Sequence, residues 1–184
     1  MRMGKEDYRN RLLLMIKKKA VLFGEKKLAS GRISRYYIDG KQITFDPEGL
    51  YLVGKVIFDM LKGEEIDAVG GLALGAVPIA SAVAAVSYLE GRPVKAFTVR
   101  AETKDHGTEK RVEGYLQKGW RVAIVDDVIT TGGSSFKAIE AAERQGASVK
   151  KVIAIVDRLE GAKEAFAAKN YLFEAVFTKK DLGI

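Results

Sequence analysis

Four largely apolar runs recur along this chain: AVGGLAL from Ala68, VKAFTV from Val94, VAIV from Val122 and VIAIV from Val152. Their starts lie 26, 28 and 30 residues apart, room each time for a strand, a crossover helix and two loops. Unbroken apolar runs, without polar alternation, predict strands covered on both faces, as in a parallel sheet. Between the runs, PIASAVAAVSYL and SSFKAIEAAERQ show helical spacing and good helix formers, and Gly146 follows the second as a C-terminal cap. A last run, YLFEAVF from Tyr171, predicts a closing strand ahead of a short polar tail.

Upstream of Ala68 the rhythm differs. Leu12, Leu13, Ile16, Ala20 and Phe23 fall on one face of a helix predicted over Lys5 to Phe23. The stretch KKLASGRISRYYIDGKQITF is aromatic, β-branched and punctuated by glycine, which reads as short strands or a hairpin. Asp46-Pro47 supplies an N-cap and a first-turn proline for a helix running to about Lys62. The pattern predicts one α/β domain over residues 1–184, doubly wound, with a mostly parallel sheet flanked by helices. Residues 1–45 form a small N-terminal addition to it. In such folds ligands bind beyond the carboxyl ends of the strands.

The 184 residues suit a single core, and the absence of cysteine excludes disulfides and thiolate chemistry. No stretch approaches the roughly 20 apolar residues of a membrane helix, and no cleavable leader is visible, so a cytoplasmic protein without membrane contact is expected. The net charge of +7 comes from 31 basic residues mixed with 24 acidic ones. Lys17-Lys18-Lys19 is the one uninterrupted basic triplet, which favours a solvated surface over a nucleic-acid partner.

The candidate chemistry begins where the Val122 run ends, in Asp126-Asp127-Val128-Ile129-Thr130-Thr131-Gly132-Gly133-Ser134-Ser135. Glycines let backbone approach an anion, and free amides at the start of the following helix make a phosphate site with the Thr and Ser hydroxyls. Paired carboxylates accept from sugar hydroxyls or hold a water-ligated Mg2+. The segment is neither a Walker A loop nor a dinucleotide fingerprint. By itself it fits several nucleotide-handling folds.

Three further segments stand out. Between Arg100 and Glu113, eight of fourteen residues are charged, which predicts an exposed loop; it holds the sole histidine, His106. A charged run is usually a solvated face, yet Arg100, Lys104 and His106 are three cations a pyrophosphate leaving group would use. LASGRISRYYID pairs Tyr36 and Tyr37 beside a Ser-Gly-Arg turn, equally compatible with a strand packed on the core. Arg158 closes the VIAIV strand, where its fork suits a carboxylate or a salt bridge to Asp157 or Glu160.

VAIVDDVITTGGS resembles the phosphoribosyl pyrophosphate motif of type I phosphoribosyltransferases. TVRAETKDHG resembles the catalytic loop of the orotate phosphoribosyltransferases among them, and LASGRISRYYID their base-covering hood. GGLALGAVP, from Gly70, resembles the pyrophosphate loop. The resemblance runs in order from Leu28 to Arg158. Ala29, Leu74 and Ala101 stand where family members often carry basic residues.

The resemblance implies transfer of ribose 5-phosphate from phosphoribosyl pyrophosphate to orotate, with Mg2+, in a homodimer whose loop closes over the neighbouring subunit's site. Thr130, Thr131, Gly132, Gly133 and Ser134 would hold the 5′-phosphate, with Val128 and Ile129 in the same binding segment. Asp126 and Asp127 would hold the ribose hydroxyls, directly or through Mg2+ and water, without a dedicated protein cage for the metal. Arg100, Lys104 and His106 would cover the pyrophosphate, and Tyr36, Tyr37, Thr130 and Arg158 would shape the orotate pocket. A transferase for another base, or a nucleic-acid-binding sensor of phosphoribosyl pyrophosphate with the same fold, are the competing expectations.

Overall fold

The computed structural model describes residues 4–27, 33–101 and 111–184. In chain order it contains α1 (Lys5–Lys19), β1 (Val21–Lys27), β2 (Ile33–Ile38), α2 (Lys41–Thr44) and α3 (Pro47–Met60). There follow β3 (Ala68–Leu72), α4 (Ala76–Leu89), β4 (Lys95–Val99), β5 (Val112–Gly114) and β6 (Arg121–Ile129). The chain closes with α5 (Gly133–Arg144), β7 (Ser148–Asp157), α6 (Ala162–Ala167), β8 (Phe173–Thr178) and α7 (Lys179–Leu182).

The main sheet has strand order β5-β4-β3-β6-β7-β8, parallel throughout except for β5, which runs antiparallel to β4. Because successive residues of a strand face opposite ways, the apolar runs divide between two cores. Val69, Ala123, Val125, Ile153 and Ile155 pack with residues of α1, α3 and α4. Ala68, Ile124, Val152 and Ala154 pack with Ala138, Ile139 and Ala142 of α5 and with Phe166 of α6. Burying each valine, isoleucine or phenylalanine among them contributes about 1.5–3 kcal/mol, and each alanine less. That two-sided burial is why the strands read as unbroken apolar runs.

The first helix stops at Lys19, short of the predicted Phe23. Val21, Leu22 and Phe23 instead pair with Ile38, Tyr37 and Tyr36 in an antiparallel two-stranded sheet, β1-β2. β-branched and aromatic residues fit a ladder better than a helix end. Leu12, Ile16 and Ala20 keep the predicted buried face, whereas Phe23 lies 79% exposed. At α3, Oδ1 of Asp46 accepts from the amides of Glu48 and Gly49 at 3.0 and 2.9 Å, with Pro47 in the first turn. Its side chain also pairs with Lys19 at 2.7 Å, fastening α1 to α3.

Two features of the main sheet depart from the pattern. The charged segment was expected to be loop throughout, yet Val112, Glu113 and Gly114 pair with Val99, Thr98 and Phe97 as edge strand β5. Val112 packs on the second core, so one apolar residue in a charged run suffices to seat the strand. The connection from β4 to β6 therefore carries a strand, and no crossover helix among the described residues. Between β7 and β8 lies α6, six residues long and too short to leave a periodic signal.

Candidate active site

In the strand order, β3 leads to β4 on one side while the later strands β6, β7 and β8 add on the other. The crevice between the carboxyl ends of β3 and β6 is thus the switch point at which doubly wound sheets bind ligands. The loop after β3 and the turn after β6 both open there.

Asp126 sits on β6 and is 7% exposed. Its Oδ1 accepts from the amide of Asp127 at 3.0 Å, and its Oδ2 from the Ser135 hydroxyl at 3.2 Å. Burial, and then the neighbouring charge of Asp127, push its pKa up to about 7. Asp127 is half-buried, with Oδ1 accepting from the amide of Val128 at 2.9 Å. Two glycines close around its carboxyl group. A Cβ on Gly40 would lie 2.6 Å from Oδ2, and one on Gly75 would lie 2.7 Å from Oδ1. A side chain at either position would make the carboxylate shift.

Beyond β6 the turn Thr130-Thr131-Gly132 leads into α5. Gly132 has φ +87°, and a Cβ there would meet Cζ of Phe166 at 2.8 Å. No side chain caps this helix, so its first amides face outward with the positive end of the helix dipole. Thr131, Gly133 and Ser134 are exposed and Thr130 is half-buried, the disposition an anion site needs. Ile129, by contrast, is 2% exposed and its side chain belongs to the second core. Val128 is half-buried against the first core. Those two residues have only backbone to offer a ligand.

Arg158 lies beside this turn, its amide donating to the carbonyl of Ile129 at 2.9 Å. It is 5% exposed, pairs with Glu160 at 3.0 Å and stacks over the Tyr36 ring at 5.1 Å. Of the two alternatives left open by the residues, the salt bridge to Glu160 is present. Its Nε is buried without a hydrogen-bond partner. A buried unpaired donor of this kind is costly. Tyr37, next to Tyr36 on β2, is half-buried.

Arg100 follows β4 at the same end of the sheet, half-exposed, with Nε 3.2 Å from Glu113. Lys104 and His106 lie outside the described residues, as do Ala29 and the Ser-Gly-Arg turn. The sequence did not single out Gly40 or Phe166, and it offered Gly75 only as part of the segment GGLALGAVP. Their roles arise from contacts between distant segments, which leave no local motif.

Among the described residues, no group of three or more His, Cys, Asp or Glu side chains could hold a metal ion by itself. Two carboxylates at a strand end fit an ion that keeps its waters and takes its other ligands from a substrate, as Mg2+ does. No helix among the described residues is long and apolar enough to cross a membrane.

Residues 39–178 match the family model of the phosphoribosyl transferase domain. The orotate phosphoribosyltransferase of Aquifex aeolicus is 45% identical over 177 residues, covering 95% of this chain and 97% of the relative. The chain belongs to the orotate phosphoribosyltransferase family. The fold agrees. Mycobacterium tuberculosis orotate phosphoribosyltransferase in complex with Fe(III) dicitrate superposes with a TM-score of 0.86 at 35% identity, over 96% of this chain and 99% of that one. The same enzyme in complex with 5-phospho-α-D-ribosyl 1-diphosphate gives 0.81 at 33% identity, with the same coverage. Family membership thus covers the switch-point crevice, the β6–α5 turn and Arg158 in one aligned stretch.

Proposed function

We propose that this chain transfers the ribose 5-phosphate of phosphoribosyl pyrophosphate to orotate, releasing pyrophosphate and forming orotidine 5′-monophosphate in pyrimidine nucleotide biosynthesis. What supports the reading is one juxtaposition at the carboxyl end of the sheet. The first group is the uncapped turn Thr130–Ser134 with the carboxylates Asp126 and Asp127. The second, beside that turn, is Arg158, with its unpaired Nε and its stack on Tyr36. The first group suits a phosphorylated ribose. The second suits a flat ring bearing a carboxylate.

In this reading Thr130, Thr131, Gly132, Gly133 and Ser134 bind the 5′-phosphate through amides and hydroxyls, with backbone support from Val128 and Ile129. Asp126 and Asp127 accept hydrogen bonds from the ribose hydroxyls. Tyr36, Tyr37, Thr130 and Arg158 orient the base so that its ring nitrogen faces C1′. As the C1′–O bond to pyrophosphate breaks, positive charge builds at C1′ and negative charge on the leaving group. The protein asks for little covalent chemistry here; it positions the reactants and neutralises charge. Arg100, Lys104 and His106 supply that neutralisation. Asp126 and Asp127 would help hold Mg2+ through water, and the ion would supply positive charge to shield the phosphates.

The reading extends to the assembly. Residues 1–184 act as one phosphoribosyltransferase domain in the cytoplasm, with residues 1–45 as helix and hood over the base. The working unit is a homodimer in which each charged loop serves the neighbouring site. Exposed Tyr88 and Leu89 at the end of α4, and Tyr115 after edge strand β5, support an apolar contact surface for that dimer. Pyrophosphate release from phosphoribosyl pyrophosphate, assayed with orotate and then with adenine, guanine and uracil, tests the reading. Turnover with orotate alone is expected. Turnover with a purine, and none with orotate, overturns the choice of base.

A further inference from the structure

The switch-point crevice has a charge problem. Its floor carries two carboxylates, and neither connection that opens onto it supplies a cation. The loop after β3 reads Ala73-Leu74-Gly75, and the turn after β6 reads Thr130-Thr131-Gly132-Gly133-Ser134. A substrate with a phosphate and a pyrophosphate needs positive charge close to that floor. The one-turn helix α2 brings some.

Gly40 approaches the Asp127 side chain so closely that a Cβ would lie within 2.6–2.9 Å of its Oδ2, Cβ and Cγ. Lys41 is the next residue, so contact at Gly40 carries its side chain to the edge of the crevice. The Lys41 ammonium binds Oδ1 of Asp39 at 2.9 Å, and its side chain is 45% exposed. Asp39 is held in turn by the amide of Lys41 at 3.3 Å and the side-chain amide of Gln42 at 3.2 Å. The Lys41 pKa is raised, chiefly by the hydrogen bond to Asp39, with further contributions from the charges of Tyr37, Asp39 and Asp127 and against partial desolvation. The ammonium is therefore within electrostatic reach of both the ribose-side carboxylate and the base-side tyrosine.

We propose that Lys41 is a substrate-binding cation of this site, which exchanges Asp39 for a phosphate oxygen of phosphoribosyl pyrophosphate when that substrate enters. Asp39 then acts as a parking place that keeps the ammonium oriented in the empty crevice. An ammonium already held near its target loses less side-chain freedom on binding than one ranging through solvent. The proposal rests on the reading of the site as one for phosphoribosyl pyrophosphate, but not on the identity of the base.

The test is equilibrium binding of Mg2+-phosphoribosyl pyrophosphate by calorimetry on the whole chain, followed by steady-state kinetics with orotate. Lys41→Met should weaken phosphoribosyl pyrophosphate binding by about tenfold or more, the usual effect of deleting one charged hydrogen bond. The KM for orotate and the melting temperature should stay near wild type, and Lys41→Arg should restore most of the binding. Asp39→Asn separates the proposal from a structural role, because it keeps a side-chain oxygen for the α2 turn while weakening the ion pair. Under the proposal it leaves phosphoribosyl pyrophosphate binding unchanged or tighter. Unchanged affinity in Lys41→Met, or an equal loss in Asp39→Asn, overturns the proposal. If wild type binds phosphoribosyl pyrophosphate but transfers nothing to orotate, the choice of base fails while the binding arm still decides Lys41.

Discussion

The Ser135 hydroxyl donates to Oδ2 of Asp126 across 3.2 Å, joining the first turn of α5 to the end of β6. The bond ties the turn Thr130–Ser134 to the carboxylate pair proposed to hold the ribose. Burial outweighs it, however, and holds the Asp126 pKa near 7 against an ordinary 3.8.

This shift has a definite sign. Between about pH 4 and pH 7 the folded chain keeps a proton on Asp126 that the unfolded chain has lost. Its contribution to stability is thus fully present below pH 4 and disappears as pH rises to about 7. The slope is at most about 1.4 kcal/mol per pH unit. Urea unfolding of the ligand-free protein should show Asp126→Asn more stable than wild type at pH 7.5, with the gap closing towards pH 4.5. A gap that widens on acidification would mean that Asp126 is ionised in the fold at low pH.

Gly132 combines a positive φ with contact on Phe166, so Gly132→Ala meets two costs. The left-handed conformation costs about 1–2 kcal/mol for alanine, and crowding the aromatic ring adds about 1–3 kcal/mol. Gly133 has open space around it and needs no unusual φ. Gly132→Ala should lower the melting temperature by several degrees and raise the KM for phosphoribosyl pyrophosphate about tenfold or more. Gly133→Ala should do far less of either. Thermal unfolding and initial-rate kinetics on the two variants settle the comparison, and equal effects would remove Phe166 from the explanation.

Arg158→Lys keeps the charge and loses both the planar stack on Tyr36 and the fork. Its KM for orotate should rise about tenfold or more, while the KM for phosphoribosyl pyrophosphate changes little. A parallel rise in both would indicate that Arg158 supports the β6–α5 turn through Ile129 and does not read the base.

Mixed dimers test the shared site. Lys104→Ala should lower turnover by about 100- to 1,000-fold, the usual effect of deleting one donor to a developing anion. Asp126→Asn combined with Asp127→Asn should abolish transfer. If each loop serves its neighbour, a mixed dimer has one site with both lesions and one with neither. The two inactive proteins, unfolded together and refolded, should regain a substantial fraction of wild-type turnover. No recovery, with mixed dimers demonstrated by mass, would assign each loop to its own subunit.

Much of this protein was legible from local rules. The runs at Ala68, Val122 and Val152 are apolar on every residue because both faces of their strands are covered, so they announced a parallel sheet directly. Asp46-Pro47 announced α3 because an N-cap and a first-turn proline act within one turn. Asp126, Asp127 and the turn to Ser134 could be read as a phosphate and sugar site because the needed groups are adjacent in the chain.

Other features depended on residues far apart in sequence. Phe23 has helical spacing with Ile16 and Ala20, and only pairing with Tyr36, Tyr37 and Ile38 draws Val21, Leu22 and Phe23 into a strand. Val112 sits in a charged run, and the free edge of β4 decides that it becomes β5. The same holds in the site. Gly40 is unremarkable until folding closes it on Asp127, and Lys41 is an ordinary surface lysine until that contact carries it to the crevice. Backbone propensities and capping are settled within a turn or two, which sequence displays. Close approach and the electrostatics of burial depend on which surfaces meet, and only the tertiary fold decides that.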